Sequence, residues 1–151
     1  MILDLHCQFS SAQVVSDTPV LSTNVLDTKQ AVPDIGTGEE LYVVVQADTL
    51  VSDSSGTTAV VTVNLVTDAD SALGSVNADV QALCTFSHGD VAGTTKIARI
   101  KPGFPVERYM GIQYVTVNGP LATTCTFSAF VTKNVDKWKS YPKATNAVIN
   151  D

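Results

Sequence analysis

The chain is poor in charged residues: Asp, Glu, Lys and Arg make up 16% of its 151 residues, where about a quarter is usual. Long straight side chains are good helix formers, and this chain has Val, Thr and Ser in their place. Val and Thr are favoured in strands. The composition therefore predicts an all-β protein with little helix.

Cysteine and histidine are also scarce. The three cysteines, Cys7, Cys84 and Cys125, form no Cys-x-x-Cys pair, and His6 and His88 have no second ligand at zinc-binding spacing. We therefore expect three reduced thiols, no metal and no cofactor. Reduced thiols also indicate assembly in a reducing compartment, that is, in a cytoplasm.

Long apolar runs are missing. The longest, such as residues 41–45, fall far short of the ~20 residues of a membrane-spanning helix. The first ten residues lack the basic leader and apolar core of a signal peptide. The sequence predicts no membrane association.

Catalytic motifs are absent too. No serine lies in a Gly-x-Ser-x-Gly elbow. Asp68-x-Asp70 resembles the start of a calcium loop, but the glycine and the twelfth-position glutamate are missing, so a solvated turn is the better interpretation. We predict that the protein is not an enzyme.

Charge is divided unevenly along the chain. Residues 1–95 carry twelve acids and one base, whereas residues 96–151 carry eight bases and three acids. This division either has no spatial meaning or creates a bipolar surface that orients the protein on a partner. The net charge of −6 argues against direct binding of nucleic acid, which requires a basic face.

Short β-strand patterns follow one another along the chain. The stretch 14–24 is broken at Asp17-Thr18-Pro19, and residues 73–83 allow at most one helical turn. About eight strands separated by turns predict an antiparallel sandwich or barrel, in a single domain spanning 1–151 with a flexible tail at 140–151. The other predicted strands are 41–47, 61–65, 80–86, 95–100, 109–117 and 124–132.

The last of these strands has the clearest pattern. Cys125, Phe127, Ala129 and Val131 alternate with small hydroxyl residues, and only Phe130 breaks the period of two. This pattern predicts one face in a core and one face outside. After this strand, Trp138 and Tyr141 lie among lysines, either as interface anchors or as local strand-end packing.

Ten segments of the chain share a pattern with a known family. They are residues 1–4, 9–10, 12–13, 22–25, 27, 36–39, 41–43, 107–109, 119–120 and 127–130. Together they resemble the small cement, or decoration, proteins of short-tailed bacteriophage heads. The resemblance depends on the order and spacing of the segments from residue 1 to about 135, and it does not include the lysine-rich tail. It implies a jelly-roll β-sandwich that binds the outside of the virion capsid as a symmetric oligomer.

The expected function is therefore that of a virion structural protein. It would cement neighbouring major capsid proteins against internal DNA pressure, as a homodimer or alternatively a homotrimer. Strand edges with few charges to guard them also favour self-association. A carbohydrate-binding jelly-roll module on a virion or cell surface is the alternative, with Trp138, Tyr141 and Tyr114 as candidate sugar platforms. The predicted partner contacts are Ile2, Leu3, Phe9, Arg108, Trp138, Lys139 and Tyr141, although the first three could equally pack onto their own sandwich.

Overall fold

The computed structural model describes residues 7–16, 19–28, 40–54, 56, 58–74, 78–133 and 135. These residues form nine strands, and every strand pair is antiparallel. The strands are β1 (Gln8–Val14), β2 (Val20–Leu21), β3 (Leu26–Asp27), β4 (Tyr42–Ala47), β5 (Val60–Asp68), β6 (Asp79–Ser87), β7 (Thr95–Arg99), β8 (Tyr109–Val117) and β9 (Thr126–Thr132).

The strands are arranged in two sheets. The four-stranded sheet has the order β1-β9-β4-β7, and the five-stranded sheet has the order β2-β8-β5-β6, with β3 also paired to β8. Because β2 and β3 pair with successive parts of β8, they act as one interrupted strand. Counted so, two sheets of four strands have the order of a jelly roll. The predictions of an all-β sandwich and of about eight strands are confirmed.

The core fills the space between the sheets and follows the predicted alternation. Phe127 and Ala129 on β9, and Cys125 directly before it, are fully buried. The Phe127 ring lies 5.3 Å from the Phe86 ring and 5.6 Å from the Tyr114 ring, measured between centroids. These contacts between aromatic rings join the two sheets.

Phe130 lies on the outer face of its sheet, as the broken alternation indicated. It pairs with Val44 of β4, and both side chains face away from the core because their neighbours Ala129 and Val45 belong to it. Both are nevertheless buried, at 7% and 0% exposure.

Two glutamines close the open sides of the sandwich. At one side Gln13 donates its side-chain amide to Leu21 O and accepts a hydrogen bond from Thr23 N. At the other side Gln81 donates to Arg99 O and accepts from Lys101 N. Each glutamine side chain forms hydrogen bonds with the carbonyl of one residue of the facing segment and with the N–H two residues later. A strand paired in a sheet makes the same two contacts. Strand edges that face each other across the sandwich are thus partly satisfied within the chain.

The N-terminal strand β1 was not predicted. Its pairing with β9 shifts register twice, and Ala12 adopts a φ of 45°. Both bulges disturb the period of two, so Phe9 and Ser10 are adjacent and both buried. An alternation search therefore begins only where β1 ends, at Val14.

The segment around Leu73 contains no helix among its described residues. Leu73 has a φ of 52° and packs over Gly111, on the outer face of β8. Any Cβ at position 111 would collide with the Leu73 side chain. The predicted flexible tail at 140–151 lies outside the described residues.

Candidate interaction surfaces

The predicted contact residues do not form one surface in the described part of the chain. Ile2, Leu3, Trp138, Lys139 and Tyr141 lie outside the described residues. Phe9 needs a correction: it has no exposed surface and belongs to the core. It packs onto its own sandwich, because its position on β1 points it between the sheets. Of the seven predicted contact residues, Arg108 is the one that the described structure places on the surface.

Arg108 joins β3 to the start of β8. Its Nε and Nη2 donate to the two carboxylate oxygens of Asp27 at 3.0 and 3.1 Å, and its guanidinium carbon lies 4.9 Å from the centroid of the Tyr109 ring. The hydrogen bonds that Arg108 donates to Asp27 raise the pKa of Arg108. Its side chain remains 47% exposed. Arg108 can therefore contact a partner, and it also has a structural role of its own.

In the fold, bases from the second part of the chain form ion pairs with acids from the first part. Lys96–Asp90, Arg99–Glu40 and Arg108–Asp27 each join a base after residue 95 to an acid before it. The jelly roll places β8 beside β3 and β7 beside β4, which brings Arg108 to Asp27 and Arg99 to Glu40. These pairs mix the two parts of the sequence among the described residues, and the bipolar surface stays a prediction.

On the outer face of the five-stranded sheet, four successive rows of residues, each running across the strands, contain no charged side chain. We call the residues of these four rows the uncharged sheet face. Its exposed or half-buried members are valines, an alanine, a leucine and small polar residues. The face comprises Leu21, Val60, Thr62, Asn64, Val66, Val80, Ala82, Thr85, Ser87, Gly111, Gln113, Val115 and Val117. A broad face of this kind is suited to contact with another protein.

The connections β1–β2, β4–β5, β6–β7 and β8–β9 meet at one end of the sandwich, which we call the loop end. Backbone hydrogen bonds tie these loops together, including Val51 N to Asp90 O and Ala122 N to Ser52 O. The buried Cys125 thiol accepts from Ser52 N at 3.3 Å and lies 3.5 Å from Leu50 O. Because these hydrogen bonds hold the loops in fixed positions, the loop end is a surface that exists before any partner binds.

The possible calcium ligands Asp68 and Asp70, and the histidine His88, have structural roles. Asp68 accepts a hydrogen bond from Asp70 N, and Asp70 accepts one from Ala72 N, so this segment is a turn. The expectation that the turn is solvated is wrong for Asp68, which is 3% exposed at the end of β5. His88 Nδ1 accepts a hydrogen bond from Asp53 N at 3.2 Å.

The described residues contain no group of three His, Cys, Asp or Glu side chains placed to hold a metal ion. Within the same ranges no helix has the length and hydrophobicity needed to cross a membrane. Cys7, Cys84 and Cys125 form no disulfide in the described part of the chain.

The prediction that Tyr114 is a platform for a sugar is wrong. It is fully buried, and its hydroxyl lies 2.6 Å from the Ser10 hydroxyl. The inward position of Tyr114 follows from its place on β8, between the outward Gln113 and Val115.

No curated protein matches this sequence. The family model named Bbp16 matches residues 9–131, a range that extends from the first strand to the last. Since this match covers well over half of the 151 residues, the chain belongs to the phage-associated Bbp16 family.

Proposed function

We propose that this chain is a structural protein of a phage head, which binds the outer surface of the capsid and holds neighbouring major capsid proteins together. The observation that carries the proposal is the extent of the family match. Residues 9–131 contain nearly the whole sandwich, so the phage-associated unit is this β scaffold itself.

The physical requirements of a cement protein agree with the scaffold. A shell filled with DNA is pushed outward, and a protein bound across a boundary between capsid proteins adds contacts that must break before the shell opens. Such a protein stabilises the shell by mass action, because it binds the assembled form in preference to the separated subunits. Many copies make weak individual contacts act together.

The uncharged sheet face is where we expect self-association. A two-fold dimer brings the same patch of two copies together, and a patch without charge avoids repulsion between chains of net charge −6. The three nine-residue strands β5, β6 and β8 present about 400 Å² of face. Two such faces reach about 800 Å² in total, the size of a weak or transient interface.

Pairing of strand edges is the less favoured route to a dimer. Gln13 and Gln81 already bridge both sides of the sandwich. Face-to-face packing is therefore preferred over the edge contacts that the sequence suggested, with a dimer first and a trimer as the alternative.

The sugar-binding alternative receives no support from the described aromatic residues. Phe9, Phe86, Tyr114 and Phe127 are fully buried, and Tyr109 has the Arg108 guanidinium over its ring. A sugar site needs an exposed ring face.

Reconstitution on heads tests the proposed function. Heads are purified from phage whose gene for this chain has been deleted, and the purified protein is added back. We expect saturable binding in many copies per head and a higher temperature of DNA release. Heads that bind no protein, or that release DNA at an unchanged temperature when saturated, would contradict the proposal.

A further inference from the structure

Exposed large apolar side chains concentrate at the loop end. Of the six such residues in the described part of the chain, four lie there: Val14 at 49% exposure, Leu50 at 51%, Val91 at 63% and Val117 at 47%. Val14 ends β1 and Val117 ends β8, while Leu50 and Val91 lie in the loops after β4 and β6. Exposed apolar groups gathered on one surface indicate a protein contact.

Hydrogen bonds connect the loops that carry these side chains. Thr49, next to Leu50, accepts a hydrogen bond from Thr126 N, and Thr126 is the partner of Val14 across β1 and β9. On its other side, Leu50 precedes Val51, whose N–H donates to Asp90 O beside Val91. The loops that carry Leu50 and Val91 are therefore cross-linked with each other and with the start of β9, so these two side chains do not lie on independent loops.

The charge of the loop end distinguishes between possible partners. Its described acids and bases are Asp48, Asp53 and Asp90 against Lys96, which gives a net charge of −2. Two loop ends facing each other would bring these negative charges together. A second copy of the chain is therefore a poor partner here, whereas a surface with a positive rim is a good one.

We propose that the loop end is the surface by which this chain docks on the phage head, where it fits an apolar patch with a net positive rim on the capsid protein. This inference rests on the proposed function and adds the orientation of the molecule on the shell. The uncharged sheet face is then left for the second copy.

Two substitutions with a matched control test the orientation. Leu50→Asp and Val91→Asp each place a carboxylate in the apolar centre of the loop end. Ile97→Asp makes the same change at an isoleucine of 37% exposure on β7 of the four-stranded sheet, outside both the loop end and the uncharged sheet face. Binding to heads that lack the protein is measured by co-sedimentation, with far-UV circular dichroism and light scattering to match fold and oligomeric state.

We expect both loop-end variants to bind at least about tenfold more weakly, as loss of a central apolar contact does, and Ile97→Asp to bind within about twofold of the natural protein. Leu50→Ser, which adds no charge, should give an intermediate loss and serves if an aspartate variant misfolds. Binding should also weaken as salt rises, because salt screens the charged rim.

The two proposals fail in different ways. If the natural protein binds no heads, the proposed function is lost. If the natural protein binds and the loop-end variants bind equally well, or if Ile97→Asp loses as much binding as they do, the loop end is not the docking surface.

Discussion

At the scale of single residues, buried polar groups in this core are paired. The described part of the chain has no buried side-chain nitrogen or oxygen without a hydrogen-bond partner. The hydroxyls of Ser10 and Tyr114, both fully buried, lie 2.6 Å apart. Since Ser10 is on β1 and Tyr114 on β8, this pair connects the two sheets.

Tyr114→Phe leaves the Ser10 hydroxyl buried without this partner. We expect the free energy of unfolding in urea to fall by about 1–3 kcal/mol. Ser10→Ala should cost a similar amount, while the double variant should cost clearly less than the sum, because the hydroxyls depend on each other. Additive losses would show that the hydroxyl pair contributes nothing as a pair.

Cys84 predicts a pH dependence of stability. Burial raises the pKa of its thiol from 9.0 to about 11, so the unfolded chain loses this proton first as pH rises. Cys84 thus has no effect below pH 9, and above it the free energy of unfolding falls by about 1.4 kcal/mol per pH unit. Urea unfolding at pH 8.0–9.8 should show this decline in the natural protein and not in Cys84→Ala. An equal decline in both proteins would assign it to other groups.

At the scale of elements, the sequence predicts best where strands alternate regularly. The strand β8 has the predicted bounds, Tyr109–Val117, and β4 differs from its prediction by one residue. The strand β1 could not be predicted, because its two bulges remove the period of two. The glutamine bridges could not be predicted either, since they depend on which edges the topology brings face to face.

The two glutamine bridges provide a matched pair for experiment. Gln81 is 4% exposed, so Gln81→Leu leaves Arg99 O and Lys101 N without their partner and should cost about 1–3 kcal/mol. Gln13 is more exposed, and water can replace its amide, so Gln13→Leu should cost less. Urea unfolding measures both, and hydrogen exchange at Lys101 N should accelerate only in Gln81→Leu. A larger loss for Gln13→Leu would contradict this account.

At the scale of the whole molecule, the topology decides what the charges do. The sequence shows an acidic first part and a basic second part, but β9 lies between β1 and β4, and β8 lies between β2 and β5. Arg108, at the start of β8, therefore meets Asp27 on β3, and the pairing of β4 with β7 brings Glu40 to Arg99. A count along the sequence cannot anticipate this, because the strand order that mixes the two parts is a property of the fold.

The same topology leaves one broad face without charge, and self-association through that face can be tested directly. Thr62 lies near its middle, between Val115 on β8 and Thr85 on β6. Thr62→Lys would place a positive charge against its own copy across a two-fold axis, and burying such a charge without a partner is costly. We expect light scattering to show a dimer for the natural protein and a monomer for Thr62→Lys at micromolar concentration.

Ser11→Lys is the control for that experiment. Ser11 is exposed on β1 in the other sheet, and its replacement by lysine adds the same charge. It should remain a dimer. A dimer that persists in Thr62→Lys, or dissociates in Ser11→Lys alone, would move the interface to the four-stranded sheet. Because head binding is assigned to the loop end, monomeric Thr62→Lys should still dock on heads, but more weakly than the dimer, since it loses the second point of attachment.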